Sequence, residues 1–144
     1  MAENPVQRII PYLYYESAAE ALAFLQRAYG FEERMRLPGP GGAVMHAEAA
    51  LGEQIVMLSD ASADFGQSSP RAFSSRASSV MVYVDDVDAH FARAKAAGAA
   101  IQSEPEDMFW GDRMYTCADL EGHLWFFATH VRDVPPEEMK PPQP

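Results

Sequence analysis

His46 and Glu48 stand two residues apart in a run of strand-forming residues, so both side chains face the same side of the sheet. An imidazole beside a carboxylate can contribute to a metal shell or line a polar cleft. Two ligands do not make a metal centre, so the pair is expected to contact a ligand in a polar cleft or to hydrogen-bond within the sheet. A second concentration of chemistry is Phe109-Trp-Gly-Asp-Arg113. There Trp110 offers a flat apolar wall, Arg113 a fork for a carboxylate, phosphonate or stacked ring, and Gly111 lets the backbone turn. In the alternative reading, Asp112 and Arg113 fix the start of a strand while Trp110 packs in the core.

The other reactive residues carry less. His123 lies in a turn and is expected to be exposed. His90 falls on a helix and reads as surface, and His130 ends a strand, where it caps a cleft or is solvated or bonded to backbone. Trp125, beside a turn and on the opposite strand face from Phe126, is expected to matter less to a ligand. Cys117 is the single cysteine and reads as buried packing; alone it makes no internal disulfide, which fits a reducing cytoplasm. No Ser-His-Asp or Cys-His arrangement has a local signature, and Gly39-Pro-Gly-Gly42 lacks the helix and Lys-Ser pair of a phosphate loop.

The elements that must position these residues occur twice. Ile9 to Tyr15 reads as a strand, and Ala18, Ala21, Leu22, Leu25, Ala28 and Tyr29 form the apolar stripe of a helix. Ser17 and Glu20 have capping-box spacing at its start, and Gly30 closes it. Strands at Phe31 to Leu37, Val44 to Ala50 and Gln54 to Ser59 follow. Roughly 70 residues on, the pattern restarts. Val80 to Val84 is a strand, Asp85 or Asp86 caps a helix carrying Val87, Phe91, Ala94 and Ala97, and Gly98 ends it. Ala100 to Ser103, Arg113 to Ala118 and Leu124 to His130 complete the set. The expected organisation is one domain, 1–144: a βαβββ module at 7–60, a linker at 61–79, a second module at 80–132 and a Pro-rich tail at 133–144. A linker of that length reads as a lid, a binding loop or a mobile segment.

With 144 residues and 48% hydrophobic composition the chain can bury a sizeable core, and no apolar run approaches the roughly 20 residues of a membrane span. Met1-Ala-Glu-Asn-Pro lacks the layout of a signal peptide, so the expected location is cytoplasmic. The net charge of −10 is spread over both halves and opposes nucleic-acid binding. It serves solubility, or a mild preference for cationic ligands.

Two βαβββ units, the second with Asp85-Asp-Val-Asp88 leading into its helix, resemble the vicinal oxygen chelate superfamily of glyoxalase I, extradiol dioxygenases, fosfomycin-resistance enzymes and bleomycin-binding proteins. His46-Ala-Glu48, Met57-Leu-Ser-Asp60, Trp110-Gly-Asp-Arg113, Gly122-His-Leu-Trp125 and Ala128-Thr-His-Val-Arg-Asp-Val134 are similar to its PhnB-like branch. The resemblance implies an α+β fold in which paired modules form a curved mixed sheet around a cleft. It also implies homodimers whose clefts receive residues from both subunits. In the family's metalloenzymes four positions hold a divalent ion. Carried over by motif spacing they fall on Ile10, Ser79, Phe126 and Val56 or Met57, none a plausible ligand for Mg, Mn, Ni, Zn or Fe. No metal and no cofactor is therefore expected.

The vacated site is expected to be a dry, aromatic pocket lined by Ile10, Tyr12, Tyr14, Met81, Tyr83 and Phe126, unless those side chains simply fill it; Trp110 adds an apolar wall, and His46, Glu48 and Arg113 add polar contacts. The expected function is binding, and so sequestering, a small aromatic or cationic molecule, as bleomycin-binding relatives do in antibiotic resistance. The alternative is a lyase, isomerase or dioxygenase-like enzyme using His46, Glu48 or Arg113, with or without a divalent metal. A third reading is an accessory subunit whose cleft binds nothing. The expected partners are a small-molecule ligand and a second copy of the chain, with neither nucleic acid nor membrane.

Overall fold

A computed structural model describes residues 7–143; Met1 to Val6, on which the leader reading rests, and Pro144 lie outside the described residues. β1 (Tyr12–Tyr15) alternates as a half-buried strand must: Leu13 and Tyr15 point inward, Tyr12 and Tyr14 outward. α1 (Ala18–Phe24) starts at Ser17, whose Oγ accepts the Glu20 amide at 3.3 Å. The Ser17 amide donates to Glu121 Oε2 at 2.9 Å, so a carboxylate from the other half of the chain takes the place expected for Glu20. Over Leu25–Tyr29 the helix widens into a π-type turn, and Gly30 ends it at φ +81°.

β2 (Glu32–Pro38), β3 (Val44–Leu51) and β4 (Gln54–Asp60) complete the first half. They form a mixed sheet of order β1-β4-β3-β2 in which only the β1–β4 pair is parallel. The second half repeats this with β5 (Ser79–Tyr83), α2 (Val87–Ala96), β6 (Ala100–Asp107), β7 (Asp112–Ala118) and β8 (Leu124–His130), in the order β5-β8-β7-β6. Asp86 caps α2 by accepting the Ala89 amide at 3.1 Å. β6 runs four residues past the expected Ser103. Pro105 is tolerated there because β6 is an edge strand whose register slips between Ser103 and Glu106.

The halves share one core. Tyr29, at the end of the π-type turn, lies 5.3 Å from Trp125 and 4.8 Å from Phe127 (ring centroids), and Trp125 and Phe127 stack 5.9 Å apart. Trp125 is fully buried, because the inward face of β8 carries it against Tyr29 and Phe31. The 61–79 connection is pinned by polar bonds. Ser69 Oγ donates to Glu121 at 2.6 Å, Arg71 to Glu16 at 2.9 Å, and Arg76 Nε to the Gly122 carbonyl at 2.6 Å. Among the described residues no helix is long and apolar enough to cross a membrane.

Candidate ligand-binding site

The outward side chains of β1, β4 and β3 meet on one open face. Register sets Tyr12 opposite Met57 and Met57 opposite Glu48, so the three form a row across the sheet. The Tyr12 hydroxyl reaches His46 Nδ1 at 2.8 Å, and His46 Nε2 stands 3.5 Å from Glu48 Oε2. Tyr14 packs beside Tyr12 with centroids 5.4 Å apart. A cavity of about 500 Å³ opens between β1, the 61–79 connection and the turn before β8. Tyr12, Tyr14 and Phe73 supply aromatic walls, with Arg76, Ser78 and His123 as polar lining. A second cavity of about 470 Å³ lies over the rest of this face, lined by Ile10, Ile55 and Met57 with Arg34, Glu48 and Glu53.

The remaining expected residues lie elsewhere. Met81 and Phe126 pair across β5 and β8 on the outward face of the second sheet, one row from Tyr83. Met81 and Tyr83 line a separate cavity of about 310 Å³ with Phe31, Leu51 and Ile55. The structure thus brings Tyr12, Tyr14, His46 and Glu48 together and sets Met81, Tyr83 and Phe126 on another surface.

Trp110 and Arg113 belong to a third group, held by carboxylates. Asp112 is only 3% exposed and accepts from Tyr83 Oη at 2.7 Å, Trp110 Nε1 at 3.1 Å and His130 Nδ1 at 2.9 Å. Burial alone would raise its carboxyl, but the bonds from His130, Tyr83 and Trp110 prevail and hold it below the usual range. His130 also meets Asp133 through Nε2 at 2.7 Å. With a carboxylate on each nitrogen, first Asp112 and then Asp133, its pKa is raised. Arg113 is spanned by Asp88 at 3.1 Å and Asp107 at 3.2 Å, so its fork is already engaged.

Two histidines differ from their sequence reading. His90 is half-buried rather than a surface residue: Nδ1 meets Tyr115 Oη at 2.6 Å, Nε2 meets the Tyr29 carbonyl at 2.9 Å, and the ring packs on Phe127. His123 is not free in its turn, because Nε2 bonds the Tyr14 carbonyl at 2.8 Å and the ring meets Tyr15 edge-on. Cys117 is buried beside Tyr29, and burial pushes its thiol up to about 11, which keeps it inert. Phe73, Arg76 and Ser78 line the 500 Å³ cavity without any signal in the sequence beyond their place in an unusually long connection.

The four family ligand positions offer hydrocarbon at Ile10 and Phe126, hydrocarbon or thioether at Val56 or Met57, and one hydroxyl at Ser79. This donor set does not fit a divalent ion. Among the described residues no group of three or more His, Cys, Asp or Glu side chains converges as a metal site.

Residues 7–127 match the family model described as Glyoxalase/Bleomycin resistance protein/Dioxygenase superfamily. Uncharacterized proteins of Mycobacterium bovis and Mycobacterium tuberculosis are 36% identical over 143 residues, covering 97% of this chain and 94% and 84% of theirs. The crystal structure of TioX from Micromonospora sp. ML1 is similar at 36% identity and TM-score 0.69, covering 87% of this chain and 99% of TioX. A Bacillus cereus PhnB protein shares the fold at 20% identity and TM-score 0.62, covering 85% of this chain and 99% of that one.

Proposed function

Because the chain belongs to the Glyoxalase/Bleomycin resistance protein/Dioxygenase superfamily, we propose that it binds a small planar molecule in the cavity between β1, the 61–79 connection and the turn before β8. The observation that carries this reading is the lining itself. Three aromatic rings, a guanidinium and serine hydroxyls surround about 500 Å³, within the usual size of ligand pockets. Rings bind a flat apolar body by stacking and burial. Arg76, fixed by its bond to Gly122, favours a carboxylate or carbonyl handle over the cationic ligand that net charge alone would suggest. The absence of metal-binding side chains at the family positions supports binding that rests on stacking and burial, as in sequestration of a small molecule.

Calorimetric titration with 1-naphthoate and with a planar cation tests the reading. Saturable binding of the carboxylate is expected, weakened by about 1–3 kcal/mol in Phe73→Ala and unchanged in Trp110→Ala. Failure of both probes to bind, or loss in Trp110→Ala alone, would remove this site.

A further inference from the structure

We infer that Tyr12, His46 and Glu48 form a proton relay opening on this cavity, and that the protein catalyses keto–enol tautomerisation of a planar, conjugated α-keto acid. The inference rests on the binding reading above and adds chemistry to it. Tyr12 is the one residue of the trio that lines the 500 Å³ cavity, and the relay assigns its phenol oxygen to meet a bound molecule there. Behind it stands His46 Nδ1 at 2.8 Å, and behind that Glu48 at 3.5 Å from Nε2. A carboxylate facing Nε2 favours the tautomer protonated there, which leaves Nδ1 to accept from the phenol. The order is that of an acid–base triad with a phenol in front. The three residues lie on the open face of the sheet, outside the shared core, where a strand would serve equally well with simpler side chains.

The substrate class follows from the cavity. Tyr14 and Phe73 receive a conjugated body, and Arg76 takes a carboxylate and steadies the negative charge that grows on the adjacent oxygen. A molecule that joins a planar body, a carboxylate and an acidic C–H beside a carbonyl is an aryl α-keto acid. In the step, the C–H bond next to the carbonyl breaks and its proton goes to the Tyr12 oxygen. The phenol's own proton passes to His46 Nδ1, and Glu48 stabilises the imidazolium. The electron pair moves to form the C=C bond, and the proton returns through Tyr12 to the carbonyl oxygen as an O–H bond. Nothing is oxidised or reduced, and no co-reactant enters. Tyr12 is the catalytic residue; His46 and Glu48 position and charge it.

Phenylpyruvate is the probe, with tautomerisation followed by the ultraviolet absorbance of the enol and binding measured separately by calorimetry. The full-length protein is expected to accelerate tautomerisation above buffer. Tyr12→Phe, which keeps the ring, should lose about 100-fold or more of that rate while the dissociation constant stays within about twofold. Glu48→Gln and His46→Gln should lower kcat with little change in KM and flatten the acid limb of the pH–rate profile, which a purely structural role would leave in place. Saturable binding with a buffer-level rate, or a Tyr12→Phe variant as fast as wild type, overturns the relay and spares the binding site. Absence of phenylpyruvate binding together with absence of naphthoate binding overturns both.

Discussion

A histidine's charge is set by what surrounds it, and His90 and His130 have opposite surroundings. His90 sits against Phe127 and donates Nε2–H to the Tyr29 carbonyl while Nδ1 accepts from Tyr115. Burial lowers its pKa; the Tyr29 bond works the other way and Arg93 adds to the lowering. The unfolded chain therefore takes up this proton first, and stability falls as pH drops through about 6.5. The melting temperature of His90→Gln should decline less over that range than that of wild type. His130, pKa raised by Asp112 and Asp133, contributes stability that is present below its unfolded pKa and lost as pH rises through the folded one. The stability difference between wild type and His130→Gln should accordingly grow on mild acidification, and shrink again once Asp112, pKa lowered, takes up its proton. A difference independent of pH would remove the ion pair from the account.

Elements in this chain are finished by residues distant in sequence. The Glu121 carboxylate is 2% exposed and accepts the Glu16 and Ser17 amides at 2.6 and 2.9 Å and the Ser69 hydroxyl at 2.6 Å. It thus caps α1 from the other half of the molecule. Glu121→Ala should cost about 3 kcal/mol, because buried donors lose a charged acceptor, and should speed hydrogen exchange at the Glu16 and Ser17 amides. Unchanged exchange there would mean that water replaces the carboxylate. The end of β8 is joined to the start of β7 through Gly111, at φ +107°, where an added Cβ would lie 2.1 Å from the Arg132 carbonyl oxygen. Gly111→Ala should lower stability by more than about 2 kcal/mol, measured by urea unfolding. Trp125→Ala should cost about 3–5 kcal/mol for the cavity left in the shared core.

At the scale of the molecule, the outward sheet faces are the unfinished part. Met35, Leu37, Met45, Met81 and Tyr83 are all at least 40% exposed. The cavity over the first of these faces is walled by first-half residues alone. We propose that a second copy covers these faces, as the family resemblance implies. Light scattering at micromolar concentration should give about twice the 15.9 kDa chain mass, and Met81→Asp should shift it towards the monomer. A wild-type monomer at every concentration would sink this.

Strand alternation, a helical stripe closed by glycine and the repeat of both were enough to read the α+β fold and all eight strands, because period and caps are local properties of the backbone. The same alternation set Tyr12 with Tyr14, and His46 with Glu48, on one face of their strands, and the lack of metal-binding side chains at the family's metal positions is legible one residue at a time. Which outward residues share a cavity was decided only by tertiary structure. Strand pattern says which face a side chain takes, but not how one sheet sits against another. That packing separated Tyr12 and Tyr14 from Met81, Tyr83 and Phe126, and folded Phe73, Arg76 and Ser78 over the first pair. It also engaged Arg113 with Asp88 and Asp107, buried Trp125 in the shared core and set a half-buried His90 against Phe127. Hydrogen bonds such as Glu121 to the start of α1 span about a hundred residues of chain, and no local spacing encodes them.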